Sequence, residues 1–124
     1  MMSDCGCTDK KTLIYACSGG SNVGQITNDA AKELTRLGVG KMACVVGLAA
    51  HIAAFEDGAR EADKLVVIDG CEKACAAIAV KHLGFSPDVQ VIATDLGIEK
   101  QPNFDYSRDC VALVAGEVAR LLGK

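Results

Sequence analysis

A chain of 124 residues, half of them hydrophobic, suits one globular domain with its own core and is not the composition of a disordered segment. Its net charge of −3, with acidic and basic residues mixed along the chain, excludes the basic stripe that nucleic acid binding needs, and scarce aromatics with no tryptophan remove the usual base-stacking platforms. The longest apolar stretch, Met42 to Ala50, falls far short of the roughly 20 residues of a membrane helix, so no membrane partner is expected either.

Met1 to Lys11 is polar and lacks the apolar centre of a secretory signal. It reads as a flexible tail, residues 1–11, ahead of a single domain over residues 12–124, and the chain is expected to be cytoplasmic. Leu13 to Cys17 is a short β-favouring run followed by Ser-Gly-Gly-Ser-Asn, hence a strand and a turn. Ser21 or Asn22 can cap the helix that follows. Its apolar positions are Val23, Ile26, Ala30, Leu34 and Leu37, and Gly38 stops it. Met42 to Val46 reads as a second strand broken by Gly47. Ala49 to Ala62 reads as a helix despite Gly58.

Leu65 to Asp69 is the third strand, and Gly70 marks its turn. A helix is expected over Glu72 to Leu83, ended by Gly84 and Pro87. Val89 to Thr94 is the fourth strand. Asp95 to Tyr106 has no period and reads as a long loop. Ser107 caps a last helix that buries Val111, Val114, Ala115, Val118 and Leu122. Near-continuous apolar strands alternating with helices predict an α/β domain, a small Rossmann-like or flavodoxin-like three-layer fold with a four-stranded parallel sheet. Right-handed crossovers favour the strand order 2-1-3-4.

Seven cysteines are an odd number in a chain with no export signal, which points to metal binding or thiol chemistry rather than disulfides. Ligands of open parallel sheets bind outside the carboxyl ends of the strands, where the order reverses. Here that means the turns after Cys17 and Asp69, which bring Cys17 and Cys71 together across 54 positions. Cys75 follows Cys71 by four residues, on one face of a first helical turn, a spacing that zinc sites use. A helix N-terminus favours thiolates. A structural zinc site takes four ligands. The fourth is Cys44, in strand 2, or Cys110, in the first turn of the last helix.

Cys17-Ser-Gly-Gly-Ser-Asn-Val-Gly24, Cys44 on the second strand and Asp69-Gly70-Cys71 with Cys75 resemble the DGC-domain proteins, small bacterial and archaeal proteins described as zinc-binding. The resemblance runs from about Lys11 to Leu122. It implies zinc as cofactor and four chelating cysteines, which here are Cys17, Cys44, Cys71 and Cys75, and so favours Cys44 over Cys110. It names a ligand and no biochemical role, leaving storage, delivery, sensing and structural support open.

Cysteine also packs as a small hydrophobe, which is the plain alternative for Cys44 and above all for Cys110. Cys5 and Cys7 read as surface thiols of the tail. His82 is too far along its helix from Cys75 to share a metal and suits a helix C-terminal charge. His51 is a weak further ligand candidate. Asp69 is either an acceptor for turn N–H groups or a partner of the ligands. The glycines after Cys17 fit neither G-x-G-x-x-G nor a P-loop. Val23 stands where a thiol phosphatase or arsenate reductase carries its arginine. An iron–sulfur cluster is a further use for four cysteines. The main rival reading is a redox or sulfur/persulfide-transfer enzyme with Cys17 as nucleophile, Cys71 or Cys75 as resolving thiol, and the loop after Asp95 as a lid.

Overall fold

The computed structural model describes residues 11–124. The expected tail, with Cys5 and Cys7, therefore lies almost wholly outside the described residues. The elements in order are β1 (Thr12–Ala16), α1 (Asn22–Arg36), β2 (Lys41–Met42), α2 (Val45–Ala49), α3 (Ala53–Glu61), β3 (Lys64–Asp69), α4 (Cys75–His82), β4 (Val89–Ile92), a 3-10 turn (Ala93–Leu96) and α5 (Arg108–Leu121). The four strands form one parallel sheet in the order β2-β1-β3-β4. This is the expected three-layer α/β architecture.

Strand alternation builds two cores. Ile14, Ala16, Val66 and Ile68 point to the face covered by α1 and α5, where Ile26, Leu34, Val114 and Val118 meet them. Leu13, Tyr15, Leu65 and Val67 point to the opposite face and pack with Leu48, Ala59 and Val80 from α2, α3 and α4. Ile14, Val66, Val67 and Ile68 are fully enclosed, and each such side chain contributes about 1.5–3 kcal/mol by leaving water. β1 and β3 sit side by side in the middle, in the register Ile14 to Val66 and Ala16 to Ile68. Their carboxyl ends therefore emerge together.

Four expectations need correction. β2 is two residues long instead of five. Ala43 still donates to the Ile14 carbonyl at 2.8 Å, but the chain then turns and Cys44 becomes the N-cap of α2, so it lies in no strand. A short apolar run carries no period that separates a buried strand from a buried helix. In the structure the segment turns into a helix with Gly47 packed under the ring of Phe55, where a Cβ would fall 2.5 Å from its Cδ2.

The helix expected over Ala49 to Ala62 is two helices, broken where His51 takes φ +63°. The helix expected from Glu72 begins at Cys75, so Cys71 lies in the turn before it, and Ala74 at the helix entrance takes φ +53°. Cys71 and Cys75 therefore do not share a first helical turn. Leu37 lies beyond α1 and is 66% exposed, off the buried stripe.

Candidate metal centre

Cys17 directly follows β1, its N–H donating to the Ile68 carbonyl at 2.9 Å and its own carbonyl accepting from the Thr27 hydroxyl at 2.7 Å. The turn then closes on itself. Gly19 N–H donates to Cys17 Sγ at 3.4 Å, Ser21 N–H to the Gly19 carbonyl at 3.0 Å, and Gly24 N–H to Ser21 Oγ at 3.2 Å. Gln25 Nε2 covers the Ser18 and Gly19 carbonyls, both at 3.0 Å. Of the two expected caps, Ser21 is therefore the one used. Gly24 is required by contact, since a Cβ there would stand 2.7 Å from the Gly19 carbonyl oxygen. Gly70 is equally confined, since a Cβ there would stand 2.9 Å from the backbone of Val23. These two glycines let the turn after β1, the start of α1 and the turn after β3 approach each other.

Asp69 ends β3 and is 1% exposed. Its two carboxylate oxygens accept from Ala76 N–H at 2.8 Å and Ala77 N–H at 3.0 Å, capping α4 across the turn because Ala74 offers no side-chain acceptor. Burial pushes the Asp69 carboxyl above its ordinary pKa, and the two N–H bonds pull it part of the way back. Of its two expected roles, accepting backbone N–H bonds is the one in the structure. Two of the free donors of α4, the Ala76 and Ala77 N–H groups, are thus spent on Asp69.

Cys17, Cys44 and Cys75 line one pocket of about 490 Å³, whose other walls include Met42, Val46 and Ala79. Cys44 is exposed, and as the cap of α2 its Sγ accepts from Gly47 N–H at 3.2 Å. Cys75 opens α4 and is exposed. Cys71 is half-buried outside that pocket, with Lys100 Nζ 3.5 Å from its sulfur. Cys110 packs against the core beneath α5, with only the Ser107 hydroxyl 3.7 Å from its sulfur.

Neither His51 nor His82 lines that pocket. Their rings meet edge to face at 5.5 Å, and His51 Nδ1 lies 3.6 Å from Glu56. The fold brings Cys17, Cys44 and Cys75 to one pocket, yet among the described residues no three or more His, Cys, Asp or Glu side chains stand in an arrangement that could hold a metal ion. The donor chemistry nevertheless fits a thiophilic cation. The sulfurs of Cys17, Cys44 and Cys71 each already receive an N–H, the arrangement that stabilises metal-bound thiolates. Sequence reading missed Lys100, because nothing local marks it.

Fold and site together define a small parallel α/β protein that carries Cys17, Cys44, Cys71 and Cys75 near the carboxyl edge of the sheet. The chain belongs to the DGC domain family, which it matches over residues 13–118. It is also similar to the anaerobic and virulence modulator AnvM of Pseudomonas aeruginosa, at 30% identity over 112 residues, covering 90% of this chain and 82% of that protein. No solved structure matches it. Among the described residues no helix is long and apolar enough to cross a membrane.

Proposed function

We propose that the chain binds one zinc ion through Cys17, Cys44, Cys71 and Cys75 and serves a regulatory or metal-handling role. The observation that carries this reading is the N–H donor on three of these four sulfurs, from Gly19, Gly47 and Lys100. Four thiolates on a divalent cation leave a net charge of −2, and N–H···S bonds spread that charge. Cys110 has no such donor and a packing role in its place, which supports Cys44 as the fourth ligand. Zinc would supply a closed cross-link between the turns after β1 and β3 and the entrances of α2 and α4. A closed site has no open position for hydrolytic chemistry. The description of AnvM as a modulator agrees with a regulatory use.

The test is elemental analysis of the natively purified protein, with thiol titration before and after chelation. One zinc per chain and about four thiols released by the chelator support the reading. A metal-free protein with every thiol reactive from the start overturns it. The pocket beside Cys17 favours one second reading, a sulfur-transfer or redox enzyme with Cys17 as nucleophile and Cys71 or Cys75 resolving it. That reading requires one thiol of the metal-free protein to alkylate much faster than the rest.

A further inference from the structure

The segment after the 3-10 turn is irregular in its backbone, yet it is tied down at several points. Gly97 turns it with φ +88°, and Ile98 is buried in the core beneath α1 and α5. Asn22, the first residue of α1 and 5% exposed, then clasps it from both sides. Its Nδ2 donates to the Glu99 carbonyl at 2.9 Å, its Oδ1 accepts from Gln101 N–H at 2.6 Å, and its own N–H donates to the Gln101 carbonyl at 3.1 Å. Farther along, the Tyr106 hydroxyl donates to Asp29 of α1. Lys100 therefore stands between two fixed neighbours, Ile98 and Gln101.

Lys100 is exposed, and its ammonium meets no carboxylate within ion-pair distance among the described residues. Its Nζ lies 3.5 Å from Cys71 Sγ instead. Gly19 and Gly47 give the sulfurs of Cys17 and Cys44 neutral backbone N–H groups. Lys100 gives Cys71 the one donor of this group that carries a full charge.

We infer that Lys100, held by the Asn22 clasp, is a positioning residue that fixes Cys71 as a metal ligand and offsets the negative charge of the thiolate cluster. The inference rests on the zinc reading and adds to it the device that governs how tightly the ion is kept. A free lysine would have to be ordered each time it met the sulfur, whereas a backbone already pinned at Ile98 and Gln101 removes part of that entropy cost. Because the ammonium is solvent-exposed, its contribution is modest and sensitive to salt.

The experiment uses the full chain loaded with one equivalent of zinc, and follows transfer of zinc to 4-(2-pyridylazo)resorcinol. Wild type is compared with Lys100→Arg and Lys100→Glu at about 0.05 M and about 0.5 M sodium chloride. Lys100→Glu is expected to lose zinc about tenfold faster than wild type at low salt, with the difference shrinking to about threefold at high salt. Lys100→Arg should stay within about twofold of wild type, since it keeps both charge and donors. Equal retention by wild type and Lys100→Glu overturns this inference and leaves the zinc site standing. Equal loss by the Arg and Glu variants, or a loss unaffected by salt, also overturns it, because the role is then not one of charge. A wild type that takes up no zinc overturns this inference and the zinc reading together.

Discussion

Replacing Asn22 by alanine removes the side chain that joins α1 to the segment carrying Lys100, and its cost follows from the bonds it makes. Two side-chain hydrogen bonds disappear, to the Glu99 carbonyl and from Gln101 N–H. Each contributes about 1 kcal/mol net, and a half-buried Gln101 N–H left without its acceptor adds about as much again, so the loss is about 2–3 kcal/mol. An unfolding entropy of about 2.1 cal/mol/K per residue gives roughly 0.26 kcal/mol/K for 124 residues, and hence a fall in Tm of about 8–12 °C. Asn22→Asp keeps the acceptor for Gln101 and sets a negative charge in the first turn of α1, which offsets about 0.3–1 kcal/mol of the loss. It should cost about half as much.

The assay is thermal unfolding followed by circular dichroism, with native-state hydrogen exchange at the Gln101 amide. That amide should exchange markedly faster in Asn22→Ala and little faster in Asn22→Asp. A Tm for Asn22→Ala within about 2 °C of wild type, or an aspartate variant weaker than the alanine one, would show that Asn22 does not hold this segment.

Gly24→Ala should destabilise by about 1–3 kcal/mol, because the new Cβ meets the Gly19 backbone at 2.7 Å, whereas Gly58→Ala, with nothing within 4 Å, should stabilise by about 0.5–1 kcal/mol. Urea melts of the two variants should move in opposite directions. Asp69 sets a pH dependence. Its raised pKa means that the native state holds a proton at a pH where the unfolded chain has lost its own. The stability this supplies is complete below the unfolded value of about 4 and is lost as the pH rises through the folded value. Wild type should therefore lose stability relative to Asp69→Asn as the pH is raised from about 4, and a difference that is flat or grows the other way in urea melts contradicts that sign. Cys110→Ala should keep a full equivalent of zinc by elemental analysis, while Cys44→Ala should bind at least about tenfold more weakly in a chelator competition.

β1 and β3 were legible because they are near-continuous apolar runs between turn residues, the pattern of a strand buried on both faces, and β4 because it is a short β-branched run interrupted only by the exposed Gln90. Right-handed crossovers left few strand orders, of which the favoured 2-1-3-4 is the one in the structure, and α1 and α5 followed from their helical spacing. The carboxyl edge of β1 and β3 was legible as the site for the same reason, since topology alone brings Cys17 and the Asp69-Gly70-Cys71 turn together. The placing of Cys44 was not. The run from Met42 to Ala50 suits a strand or a helix equally, and its packing, with Gly47 against the ring of Phe55 from α3, is a tertiary contact that no local pattern announces. The start of α4 was also misplaced, because its cap is the carboxylate of Asp69, seven residues from Ala76, and not a neighbour in sequence.

Lys100 lies 29 residues from Cys71, and Asn22 lies 77 and 79 residues from the groups it clasps. Periodicity and capping rules act over a few residues, so they gave the elements and layers, and general rules of parallel-sheet topology then pointed to the edge near Cys17 and Cys71. Which sulfur faces the pocket, which faces a lysine and which packs in the core depended on contacts between segments far apart in the chain. Only the tertiary structure could decide those, because no local pattern encodes which distant surfaces meet.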